Sequence, residues 1–166
     1  MGVLGWDKEA KSFHLDEKRT LESFWNLMRG FIINRDRLVG HNIFEFDLRF
    51  IVKRSIINGI RLTVNLSFRR YVNQSVFDTM REWECWSYDK IKLDTLADAL
   101  SLPSSKTDSI DGSKLFDYFE DGRHKEIFEY CLLDVHLTRK IYRRMTFCKP
   151  DYLTDLSNVG TENINK

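Results

Sequence analysis

Cysteine is scarce in this chain and poorly spaced for a structural role. Cys85, Cys131 and Cys148 are an odd number, and no two of them form a C-x-x-C pair. That argues against a disulfide framework or a zinc site and fits a reducing compartment. Charge of one sign is missing as well. Lys and Arg total 26 against 25 Asp and Glu, a formal net charge of +1. No global basic field therefore advertises a polyanion partner, although a local patch still can. No apolar run reaches membrane-spanning length. Met1-Gly2-Val3-Leu4-Gly5-Trp6 lacks the basic flank and long apolar core of a signal peptide. A cytoplasmic location with no membrane partner is the expectation. Internal repeats, low-complexity tracts, a phosphate-cradling glycine loop and a Ser-His-Asp arrangement are also lacking. His14, His41, His124 and His136 show no metal-ligand spacing.

What the chain does have is aromatic bulk: 12 Phe, 6 Tyr and 4 Trp in 166 residues. Such a chain can bury a core and is not disordered. Val3–Trp6 reads as a short strand, Asp7-Lys8-Glu9 as a turn, and Ala10–Leu15 as a returning strand. Leu21, Phe24, Trp25 and Met28 then fall on one face of a helix that starts near Asp16 and stops at Gly30. Arg37–Asn42 reads as a strand through Leu38 and Val39. It leads into a helix from about Phe46 to Asn58, capped by Gly59. Residues 61–73 look irregular, and Ser75–Thr79 looks like a short strand. Leu93–Leu100 is a helix stopped before Pro103, and Ser113–Glu120 is a short helix after a polar loop. Ile127, Tyr130, Cys131, Asp134, Val135, Thr138, Ile141, Tyr142 and Met145 form the strongest helical stripe. Residues 1–148 make one domain on this reading, and 149–166 a polar, loose tail. Strands alternating with helices place the chain in the α/β class, with too few strands for a complete sheet.

Two segments combine these elements with acids. In Gly40-His41-Asn42-Ile43-Phe44-Glu45-Phe46-Asp47 a strand ends, the chain turns, and a helix begins with an aspartate in its first turn. Asp47 then stands at the mouth of a sheet, where ligands gather in α/β folds. A helix-start acid stabilised by the dipole is the plainer explanation of the same residue. In Tyr130-Cys131-Leu132-Leu133-Asp134 the tyrosine and the aspartate are four apart and share a helical face. That face is also the apolar one. A carboxylate there is costly unless it is paired, protonated or bound to a cation. A Tyr–Asp hydrogen bond at a packing seam is the alternative.

Taken together these segments resemble the DEDD superfamily of 3′–5′ exonucleases, and most closely the proofreading-type domains related to family B DNA polymerases. The likeness runs from about Leu15 to Met145. Gly40-His41-Asn42 followed by Phe46-Asp47 resembles the second exonuclease motif, and Tyr130-x-x-x-Asp134 the third. Val76-Phe77-Asp78-Thr79-Met80 and Lys92-Leu93-Asp94-Thr95-Leu96 resemble the segments between them. The residue five before Asp134 is Glu129, not His, so the Tyr variant of the superfamily is the nearer one. The resemblance implies a ribonuclease H-like mixed sheet flanked by helices. It implies two Mg2+ or Mn2+ ions held by four acids, which activate a water and stabilise the leaving 3′ oxygen. Asp47 and Asp134 would be metal ligands. Tyr130 would orient the attacking water, since a phenol of pKa about 10 positions better than it deprotonates. Asn42 and Phe44 would contact nucleic acid with a free 3′ end, Phe44 by stacking on a base, with a place in the core as the alternative for Phe44.

The chain departs from the pattern at its start. The family's first motif is an Asp-x-Glu on the central strand, where residues i and i+2 face the same way. The only early match is Asp7-Lys8-Glu9, which sits where a hairpin turn is expected. The expectation is that Val3–Trp6 and Ala10–Leu15 are the family's second and third strands. The central strand would then come from upstream or from a partner chain. The alternative function is a non-catalytic module that binds nucleic acid or protein through the same groove. Arg49, Lys53, Arg54, Arg61, Arg69 and Arg70 are the basic cluster that could track a phosphate backbone. Arg139, Lys140, Arg143 and Arg144 read as a solvated face. Trp83, Trp86 and Tyr88 read as a packing knot around Cys85.

Overall fold

In the computed structural model the chain is described over residues 16–69, 75–103 and 115–148. The expected strands Val3–Trp6 and Ala10–Leu15, the Asp7-Lys8-Glu9 segment and the tail after Cys148 lie outside those residues. Among the described residues eight elements follow one another: α1 (Glu17–Met28), β1 (Leu38–Gly40), α2 (Asp47–Ile57), β2 (Val76–Asp78), α3 (Thr79–Trp83), α4 (Leu93–Ala99), α5 (Leu115–Glu120) and α6 (His124–Met145). Helices dominate, and the class is α/β.

Local chemistry explains the boundaries. Asp16 accepts a hydrogen bond from the Arg19 amide at 2.8 Å and so caps α1. The expected apolar face of α1, Leu21, Phe24, Trp25 and Met28, is the buried one. It is fastened to α2 by the Trp25 indole, whose Nε1–H donates to Ser55 Oγ at 2.8 Å in the interior. Helix α2 ends at Ile57 with Asn58 as its C-cap, and Gly59 follows in the left-handed region at φ 66°, a conformation that costs glycine no Cβ clash. Helix α4 stops as expected, with Ser101 at φ 55° and the Leu102 amide bonded back to the Ala97 carbonyl. The short helix α3 was not expected. It exists because Asp78, the last residue of β2, accepts from the Met80 and Arg81 amides and starts it.

Strands β1 and β2 pair in parallel, with Leu38 opposite Val76, Val39 opposite Phe77 and Gly40 opposite Asp78. Among the described residues the sheet has these two strands alone. The mixed character expected of the sheet rested on strands outside the described residues. In a parallel ladder alternate residues of a strand bond to one neighbour. The Leu38 amide bonds to the Ser75 carbonyl, so the amide and carbonyl of Val39 face the other edge of β1.

The core is divided among three clusters around this pair. Ile43, Phe44, Leu48, Leu66 and Val76 pack between the sheet and α2. Phe24, Trp25 and Met28 pack between α1 and α2. Leu96, Ala97, Leu137 and Ile141 join α4 to α6. Leu137, absent from the expected stripe, is buried in that seam. The aromatic knot is corrected by the structure. Tyr88 is 87% exposed and Trp83 is exposed as well, while Trp86 packs on Phe44 with ring centroids 5.5 Å apart. No helix among the described residues is long and apolar enough to cross a membrane.

Candidate active site

The C-terminal ends of β1 and β2 open toward the turn 41–46 and the start of α2. Their positions follow from one buried acid. Asp78 is fully buried and is surrounded by amides. Its Oδ1 accepts from Asn42 N at 2.8 Å, Met80 N at 3.1 Å and Arg81 N at 3.3 Å, and its Oδ2 from Phe44 N at 3.1 Å. One carboxylate thus starts α3 and pins the turn after β1. Burying a charge is costly, and several amide donors are what offset that cost.

His41 pins the same turn by its side chain. Its Nε2 lies 2.9 Å from the Ile91 carbonyl and its Nδ1 3.0 Å from Thr79 Oγ1. A carbonyl only accepts, so Nε2 carries the ring proton. Burial lowers the pKa of His41 below its ordinary 6.5, against smaller upward pulls from the Ile91 carbonyl, Asp78 and Asp134. With the ring neutral, Nδ1 accepts from the Thr79 hydroxyl. The Gly40 carbonyl, 3.2 Å from the same hydroxyl, competes for that single proton. Glu45 adds a third tie, 3.0 Å from Arg49 and 3.6 Å from the largely buried Arg81.

Asp47 follows directly as the first residue of α2. It is exposed as a residue, yet protein atoms close on its carboxyl and raise its pKa, and the Asp78 carboxylate adds to the rise. Of the two descriptions, the desolvated carboxyl decides its chemistry, because the exposed area includes its backbone. It makes no ion pair among the described residues. An acid whose ionisation is opposed by burial and a neighbouring carboxylate gains from a cation.

Helix α6 brings the third segment to this end. Tyr142 lies with its hydroxyl 3.5 Å from Arg37, just before β1, and its ring edge-on to Phe77 at 4.9 Å. Helix α6 also packs against β1, and the charge of Asp134, earlier on the same helix, is felt at His41. The same charge joins burial in raising the pKa of the Cys131 thiol. Tyr130 and Asp134 are both half-buried, one turn apart on α6.

The other expected residues divide. Asn42 sits in the turn at φ 58°, with its side-chain Oδ1 buried and lacking a hydrogen-bond partner. Phe44 is buried in the core cluster, 5% exposed. Phe46 and Phe50 are the exposed aromatic rings beside Asp47, one helical turn apart. Two phenylalanines at i and i+4 around an acid were the available signal for them. Asp78 and His41, which the sequence placed only within segments resembling the family's and gave no role, hold the turn in the structure. The basic cluster is partly neutralised. Arg54 makes a two-pronged bond to Glu17, and Arg49 pairs with Glu45, whereas Lys53 is exposed. A cavity of about 420 Å³ lies elsewhere, between α1 and the segment after α2, lined by Lys18, Glu22, Arg29 and Arg61 among others. It adjoins the end of α2 opposite Asp47.

Asp47 and the unpartnered Asn42 amide oxygen stand beyond the C-terminal end of β1, and the Asp134 charge reaches the same turn at His41. Over residues 6–159 the chain matches a family described as predicted 3′–5′ exonucleases related to the exonuclease domain of PolB, and it belongs to that family. No curated protein and no solved structure matches it.

Proposed function

We propose that this protein is a metal-dependent 3′–5′ exonuclease of the Tyr variant, with a ribonuclease H-like fold, acting on single-stranded DNA ends. What supports the reading is the reach of the Asp134 charge to His41, in the turn that leads to Asp47 at the start of α2. The donors there are all oxygens: two carboxylates and the orphaned Asn42 Oδ1. That set suits Mg2+ or Mn2+ in kind. In number it falls short, since the described residues include no group of three or more acidic, His or Cys side chains arranged for a metal. Asp47 and Asp134 would hold the ions, which supply charge neutralisation at the scissile phosphate. The first Asp-x-Glu of the family would complete the ligand set from outside the described residues.

The chain's own groups then account for the rest. Tyr130 orients the attacking water through its hydroxyl. That water forms a new P–O bond as the bond to the leaving 3′ oxygen breaks, releasing a nucleoside 5′-monophosphate. Phe46, 66% exposed beside Asp47, offers a face to the terminal base. Asn42 holds the strand end. The test is digestion of a 3′-labelled single strand with Mg2+ or Mn2+ present. Stepwise loss from the 3′ end that stops on chelation supports the proposal. Binding of the strand without any cleavage would favour the non-catalytic module instead.

A further inference from the structure

The turn between β1 and α2 is held more firmly than a connection of its length requires. Asp78 holds the amides of Asn42 and Phe44. Gly40, at its base, approaches Ile43 so closely that a Cβ there would lie 2.6 Å from the Ile43 Cβ. Asn42 is kept at positive φ, where a non-glycine residue persists only when its surroundings over-determine it. Glu45 reaches outward to Arg49 and Arg81, and His41 is the side chain of the turn that joins two distant segments through hydrogen bonds. Its two ring nitrogens reach segments 38 and 50 residues away, the N-terminus of α3 and the stretch before α4.

We propose that His41 is the positioning residue of the candidate active site: its ring, tied on one side to Thr79 and on the other to the Ile91 carbonyl, sets the turn that presents Asn42 and Asp47. An apolar ring could fill the same half-buried space. It would not bridge α3 to the segment leading into α4, which itself packs on the helix carrying Tyr130 and Asp134. Both acid-bearing segments are therefore referred to one imidazole. The charged groups whose fields reach the ring are Asp78 and Asp134. The role concerns geometry and moves no proton in the reaction. It rests on the exonuclease reading for what the turn presents, but the tie itself is independent of that reading.

The experiment uses the full chain and two kinds of readout. His41→Phe keeps the ring and removes both bonds. His41→Gln places an amide N–H where Nε2 stands and keeps the bond to Ile91. In the Phe variant, hydrogen exchange at the Asn42 and Phe44 amides should quicken while the α1 amides stay protected. Its kcat should fall about 10–100-fold with KM changed little, as expected for a misplaced catalytic turn. The Gln variant should recover part of both. Thr79→Val, which removes the other tie, should give a smaller loss that is not additive with His41→Phe. Unchanged exchange at Asn42 and Phe44, or wild-type kcat in a folded Phe variant, overturns the proposal. So does a loss that tracks global melting and is not recovered by Gln. An inactive wild-type chain would count against the exonuclease reading alone, because the exchange arm still reports on the tie.

Discussion

Two aspartates stand near the same end of the sheet in opposite circumstances. Asp78 is fully buried and accepts four backbone amides. Asp47, a few residues beyond the turn that Asp78 pins, has no ion-pair partner among the described residues, and its ionisation is opposed by burial. The first acid is engaged by the fold, with three amides on Oδ1, one on Oδ2 and no exposure to solvent. The second accepts from its own backbone amide and forms no ion pair among the described residues. A carboxylate's role is thus decided by what already occupies its lone pairs, and the two residue types are identical in sequence.

The largest separation between the two acids should appear in activity. Asp47→Asn, like Asp134→Ala, should lower the rate of 3′-end digestion by about 10²–10³-fold or more, since an ion-stabilised transition state is worth several kcal/mol. Retained activity in either variant, measured on a labelled single strand, would remove the site. Asp78→Ala should act on folding instead. It strands buried amides, each worth about 1–3 kcal/mol when left unpaired. Chemical denaturation should register a loss of about 3–5 kcal/mol or outright failure to fold. A mild effect would mean the turn is held by something other than Asp78.

The pH dependence sharpens the contrast. Asp47 has a raised pKa, so the folded state keeps its proton where the unfolded chain has lost it. Its contribution to stability therefore falls as pH rises from the ordinary carboxylate value of 3.8 toward the raised one. Asp47→Asn should abolish that decline, and melting at neutral pH should be equal to wild type or higher. Mg2+ or Mn2+ should raise the melting temperature of wild type more than that of the variant. His41 has the opposite sign. Its lowered pKa makes the unfolded chain bind the extra proton, so its contribution is present above 6.5 and is lost as pH falls below that value. Melting curves of His41→Phe against pH should lack this acid-side loss. The smallest effect belongs to the surface. Arg54→Ala breaks the exposed pair with Glu17 and should barely move the melting temperature, because solvent screens such pairs.

Much of this was legible in the order of residues. The periods of Leu21, Phe24, Trp25 and Met28, and of the α6 stripe, gave helices whose buried faces are largely those expected. Helix periodicity is a local property, so a single sequence carries it. Strand limits for β1 and β2 came within two residues for the same reason. Asp47 opens α2, and Tyr130 and Asp134 lie one turn apart on α6, the element contexts that their spacing predicts.

Other features depend on partners far along the chain. Asp78 is a strand-end acid by sequence, and only folding delivers the amides of Asn42 and Phe44 to it from 36 and 34 residues away. His41 lies inside the Gly40-His41-Asn42 segment, but nothing there marks its ring partners, which are 38 and 50 residues distant. Phe44 and Phe46 are the same residue type two apart, and the turn sends one into the core and the other to solvent. What the sequence by itself determined is which segments coil, which extend and which acids they carry, because neighbouring side chains and backbone dihedrals decide those. What tertiary structure alone decided is which of those acids is consumed by the fold and which is left available, because a lone pair is filled by whichever donor packing brings within about 3 Å.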